Sequence, residues 1–128
     1  MDKVVKENQY MRCWIEDGII HAIFKPEVLD LEAAKECVKL RLELSEGLTY
    51  PFMADGRGVQ NITKEARDYF ASDIGVRGVA ASALLTESVA GKFIGNFFLQ
   101  INKPKVPVRL FTNDTDAVNW LKNFVKKL

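Results

Sequence analysis

The residues able to do chemistry are few. There is one histidine, His21, and there are two cysteines, Cys13 and Cys37. His21 falls in the middle of an apolar segment rather than at a strand end. No Gly-x-Ser-x-Gly elbow occurs, so a Ser-His-Asp arrangement has no support. The cysteines have no Cys-x-x-Cys spacing and no second histidine beside them, which argues against metal ligation and against a redox pair. They read as buried free thiols of a reducing cytoplasm. Asp55 and Glu87 fall at adjacent junctions, but two acids beside helix caps are commonplace. Gly56-Arg57-Gly58 lacks the third glycine of a dinucleotide fingerprint and the Gly-Lys-Ser/Thr ending of a P-loop, so its glycines serve a tight turn. No catalytic residue, metal ligand or cofactor is assigned, and the chain reads as a non-enzyme.

The remaining polar residues gather where strands pass into helices. The first such junction supplies Asp55 and Arg57, the second Thr86, Glu87 and Ser88, and the third Thr112, Asn113 and Asp114. Ligands of open α/β sheets bind beyond the carboxyl ends of the strands, where helix amino termini offer unpaired amides. Asp55, Arg57, Ser88, Thr112 and Asn113 are therefore the candidate site for an anion or a partner's group. The competing reading makes Ser88 and Asp114 simple helix caps.

The elements that must position these residues follow from the apolar pattern. Tyr10 to Glu16 and Ile19 to Phe24 read as a hairpin closed by Asp17-Gly18, because a type I′ turn needs positive φ at both central residues. A helix runs from Leu31 to Leu44 with Asp30 as its cap, and a short strand from Tyr50 to Ala54. Thr63 caps a second helix, and Val79 to Leu85 is a central apolar strand. A third helix begins at Ser88, with apolar positions 89, 90, 93, 94, 97, 98 and 101, and Gly91 and Gly95 suit close packing. Val106 to Phe111 is an edge strand containing Pro107, and Asp114 or Thr115 caps a last helix. The order β-β-α-β-α-β-α-β-α predicts one α/β domain over residues 1–128, with 1–9 as an extension. Its sheet has five strands, an antiparallel hairpin followed by parallel strands, with four helices. Right-handed crossovers place the three intervening helices on one face, leaving the other poorly covered by this chain.

Composition narrows the partners. In 128 residues, 18 Lys and Arg stand against 17 Asp and Glu, a balance that excludes the one-signed field of a nucleic-acid binder. No apolar run is long enough for a membrane span, and the first residues lack a signal peptide's apolar core, so a cytoplasmic location is expected.

The leading hairpin, Asp55-Gly56-Arg57-Gly58 closing the third strand, Ala80-Ala81-Ser82-Ala83 in the fourth and Thr112-Asn113-Asp114 before a Trp-Leu helix resemble a STAS domain. This is the SpoIIAA-like fold of anti-sigma-factor antagonists, and the resemblance is nearest to its uncharacterised bacterial branches. It implies a regulatory or protein-interaction module. In the antagonists a serine at the start of the second helix is phosphorylated. Here Asp55 matches their strand-end aspartate, Thr63 stands in place of the motif's aspartate and Lys64 in place of the serine. The acceptor is absent. The alternative is a small-molecule or lipid binder with an apolar pocket beside the third helix, near Phe93, Phe97 and Phe98, as in the distantly similar Sec14-like carriers.

The hairpin register also predicts a homodimer. Pairing Trp14 with His21 and Arg12 with Ile23 sends Met11, Cys13, Ile15, Ala22 and Phe24 to the helix-covered face. Tyr10, Arg12, Trp14, Ile19, His21 and Ile23 go to the other. So apolar a face is seldom left wet, and Tyr, Trp and Arg are the types that anchor interfaces. The competing reading folds residues 1–9 back over it.

Overall fold

The computed structural model describes residues 4–87, 103 and 105–126. The main sheet contains β1 (Val5–Glu7), β2 (Met11–Glu16), β3 (Ile19–Phe24), β5 (Tyr50–Asp55), β7 (Val79–Leu85) and β8 (Val108–Phe111), side by side in the order β1-β2-β3-β5-β7-β8. The first three strands are antiparallel and the rest parallel, so the sheet is mixed as the sequence predicts. It has six strands rather than five. The extra one comes from the segment expected as an extension. Asn8 turns the chain by accepting the amides of Tyr10 and Met11 at 2.8 and 2.9 Å, and Val5–Glu7 then pairs along the outer edge of β2. Val5–Glu7 extends the sheet's edge, and residues 1–3 of that segment lie outside the described residues. Val28–Leu29 (β4) and Asn61–Ile62 (β6) form a separate two-stranded parallel ribbon at the entrances to two helices.

The Asp17-Gly18 turn adopts φ of 54° and 76°, and the hairpin register follows from it: Trp14 lies opposite His21, and Arg12 opposite Ile23. Helix α1 (Leu31–Ser45) starts at Asp30, whose carboxylate accepts the Ala33 amide. It ends at Glu46 in the left-handed region. Helix α2 (Lys64–Ala71) is capped by Thr63, and α3 (Asp114–Leu121) by Asn113. The cap of α3 thus lies one residue before the expected Asp114 and two before Thr115, because the Asn113 side chain reaches the Asp116 amide at 2.9 Å. A 3-10 turn, Lys122–Phe124, follows. Three α-helices lie among the described residues, and the helix expected from Ser88 falls outside them.

Two clusters occupy the two faces of the sheet. On the first, Met11, Cys13, Ile20, Ala22, Phe24 and Ala54 pack under α1, with Phe70 of α2 edge-on to Phe24. On the second, Ile19, Met53, Ala81, Ala83, Leu85 and Phe111 pack under Ala117 and Leu121 of α3. The face expected to stand nearly bare is therefore half-covered. No crossover rule constrains a helix after the last strand, and α3 turns back over the side opposite to α1.

Candidate functional site

The coverage by α3 divides the second face. Ile19, expected on the open face, is fully buried by the chain itself. Val125 at the end of the 3-10 turn closes over the hairpin tip, where a Cβ on Gly18 would lie 2.9 Å from its Cγ1. Tyr10, also expected there, packs against the α1-side cluster instead. Arg12, Trp14, His21 and Ile23 lie on the part of this face beyond α3, joined by Val5, which lies opposite Trp14 in register. The Trp14 and His21 rings stack with centroids 5.6 Å apart and planes 6° from parallel. The Arg12 guanidinium lies 5.9 Å from the Trp14 ring centroid. Ile23 is 43% exposed and Val5 40%, a continuous apolar and aromatic strip along one side of the sheet.

The strand-end residues adjoin this strip, because Asp55 is the register partner of Ile23. Arg57 Nε and Nη2 donate to the two oxygens of Asp55 at 3.0 and 2.9 Å, and Nη2 donates to Asp114 Oδ1 at 3.0 Å. The carboxylates hold the guanidinium above its usual range, the Asp55 hydrogen bonds being the largest cause. Asn113 is occupied as cap and through Nδ2 to Asp116, and Thr112 is exposed beside it. Ser88 lies outside the described residues. The arrangement joins Asp55 and Arg57 to Asp114, the residue after Asn113, and leaves the arginine's charge compensated by two carboxylates. It ties the end of β5 to the start of α3.

A third feature lies on the first face. A cavity of about 560 Å³ opens between α1, α2 and the β5-β7-β8 part of the sheet. Phe24, Cys37, Phe52, Leu84 and Leu110 line it, together with Arg41. Its size is that of an ordinary small-molecule site.

The family described as a domain of unknown function, DUF7793, matches residues 13–125. The chain belongs to that family. No curated protein matches it. Among solved structures it is similar to an uncharacterized DUF3478-family protein with a SpoIIAA-like fold from Shewanella loihica PV-4. That likeness has a TM-score of 0.58 at 13% identity, over 94% of this chain and 92% of the other. At that identity the likeness establishes the SpoIIAA-like fold of this DUF7793 domain and nothing about its activity.

At the position where antagonists carry a phosphorylated serine, the DUF7793 chain presents Lys64, bonded to Asp68 at 2.9 Å, and the Thr63 hydroxyl accepts the Ala66 amide. Among the described residues, no group of three His, Cys, Asp or Glu is placed to hold a metal ion, and no helix is long and apolar enough to cross a membrane. Cys13 and Cys37 are buried free thiols, pushed up to about 11 and about 12 by burial. The residue that sequence reasoning missed is Arg41. Its position continues the buried series Ala34, Cys37, Val38, with Ser45 beyond it, and only its charge hid it.

Proposed function

We propose that this chain is a non-catalytic, STAS-like regulatory or protein-interaction module of the cytoplasm. It dimerises through the β1-β2-β3 side of this face and works without the antagonists' phosphorylation switch. The observation that carries this reading is the strip of Val5, Arg12, Trp14, His21 and Ile23, with its stacked ring pair and two exposed aliphatic residues. Exposed apolar surface rimmed by polar groups marks interaction sites, and Trp and Arg are typical anchors of them. A two-fold interface also uses one self-complementary patch on both copies, which a flat strip supplies. The Arg57–Asp55–Asp114 group at its border would set orientation at the rim, where ion pairs contribute specificity more than affinity. Trp14 and Trp120 are the two tryptophans. In a Trp120→Phe background, quenching of Trp14 fluorescence by acrylamide should fall as protein concentration rises from nanomolar to high micromolar. Quenching that does not change with concentration contradicts the proposed interface.

The cavity favours a second reading, the binding of a small apolar molecule or lipid. It lies on the opposite face from the strip, so the two readings are compatible.

A further inference from the structure

We infer that the cavity takes an amphiphile carrying one anionic head group on an apolar chain, with the head seated at Arg41. This rests on the second reading above, that the cavity binds a small molecule.

Arg41 is 3% exposed, and it lines the cavity from the core side of α1. Its Nη1 donates to the Arg77 carbonyl at 2.7 Å and its Nη2 to the Gly75 carbonyl at 2.9 Å, while the guanidinium lies 5.6 Å from the Phe52 ring centroid. These contacts satisfy two of its donors and pin the loop before β7. A guanidinium has five N–H groups, however, and neutral carbonyls do not neutralise its charge. Among the described residues no carboxylate bonds to it, and burial lowers its pKa to about 10. The neighbouring Cys13 and Cys37 thiols stay protonated at neutral pH and supply no counter-charge. Buried charges are normally paired, because an unpaired one forfeits its hydration. An arginine used only to staple a loop has no need to face a cavity.

The rest of the wall defines the ligand's other end. Phe24, Phe52, Leu84 and Leu110 offer apolar surface for a chain, and Ser82 and Thr86 are the hydroxyl-bearing residues of the wall. Arg67 is on the same wall, with Nη1 on the Ile62 carbonyl, and exposed Glu87 lies at the rim. The buried charge facing the apolar wall is thus cationic, which suits a carboxylate or a phosphate monoester on an alkyl chain.

Calorimetric titration of the full chain, stripped of co-purified lipid, with decanoate, decyl phosphate and decanol tests this. Both anions should bind about tenfold or more tightly than decanol, as a charge-assisted bidentate contact implies. The tighter of the two identifies the head. Arg41→Met should bind all three alike, and Arg41→Lys should keep part of the preference. Equal binding of decanol and the anions by the wild-type chain overturns the anionic head while leaving the cavity as a binding site. Retention of the preference in a folded Arg41→Met variant removes Arg41 from the role. No heat from any of the three refutes the cavity reading itself. The wild-type comparison decides the matter even where Arg41→Met fails to fold.

Discussion

Ile19 and Ile23 lie on the same face of β3, four residues apart, and the division of that face predicts opposite fates for their truncation. Ile19 is fully buried between Leu121, Ala117 and Met53, whereas Ile23 is 43% exposed on the open strip. Removing a fully buried isoleucine side chain costs about 2 to 5 kcal/mol, because the cavity left behind adds to the lost transfer energy. Ile19→Ala should fall in that range, since the sheet on one side and α3 on the other hinder collapse of the site. Ile23→Ala removes atoms that are only partly withdrawn from water and leaves no enclosed void, so about 1 kcal/mol is the ceiling in the isolated chain. Both variants belong in a Trp14→Glu background, which the proposed dimer interface renders monomeric, so that association does not enter the comparison. At a urea slope of about 2 kcal/mol per molar, mid-range for small domains, Ile19→Ala should shift the unfolding midpoint by about 1 to 2.5 M and Ile23→Ala by at most about 0.5 M. Equal shifts would refute the placement of α3 over Ile19.

Three further outcomes follow from particular contacts. Arg57→Ala should cost about 1 kcal/mol or less by thermal unfolding, since its ion pairs are solvent-screened; a loss of several kcal/mol would show the triad to be a structural clamp. Incubation with protein kinases should place no phosphate between Asn61 and Ala66, where Lys64 is bonded to Asp68 and Thr63 is a cap; stoichiometric phosphate on Thr63, read by mass spectrometry, would contradict this. Both thiols titrate higher in the folded chain than in the unfolded one, from 9.0 to about 11 and about 12. Stability is therefore full below pH about 8 and declines as pH rises through 9, as the unfolded chain releases protons that the folded chain retains. Between pH 8 and 9, before Arg41 at about 10 titrates appreciably with the opposite sign, the urea midpoint should fall in the wild type and stay level in Cys13→Ala/Cys37→Ala; parallel curves would refute the burial of the thiols.

Much of this fold is local chemistry and was legible for that reason. Asp17-Gly18 demands positive φ at two positions, and the register from Met11 to Phe24 rests on that turn. Asp30 and Thr63 cap as their types predict. What escaped is tertiary. Val5–Glu7 is too short and too polar to read as a strand, and it forms because Asn8 turns it onto the β2 edge, with Lys25 bonding both Glu7 and the Asn8 carbonyl. The two-residue strands β4 and β6 carry no period at all. The 3.6-residue pattern of the last helix shows that it has a buried side but not which face of the sheet receives it, so Ile19 was assigned to the wrong environment. At the strand ends spacing alone does not reveal that Asp114 reaches Arg57, and with it the neutralisation of that arginine by two carboxylates.

The measurement that bears most directly on the proposed function is the solution mass of the wild-type chain and of Trp14→Glu by multi-angle light scattering across low to high micromolar concentration. The account predicts twice the 14.5 kDa chain mass for the wild type and a folded monomer for Trp14→Glu, because a carboxylate at the centre of the strip costs several kcal/mol when buried. A wild-type chain that remains monomeric at high micromolar concentration, or a Trp14→Glu variant that remains dimeric, would contradict it.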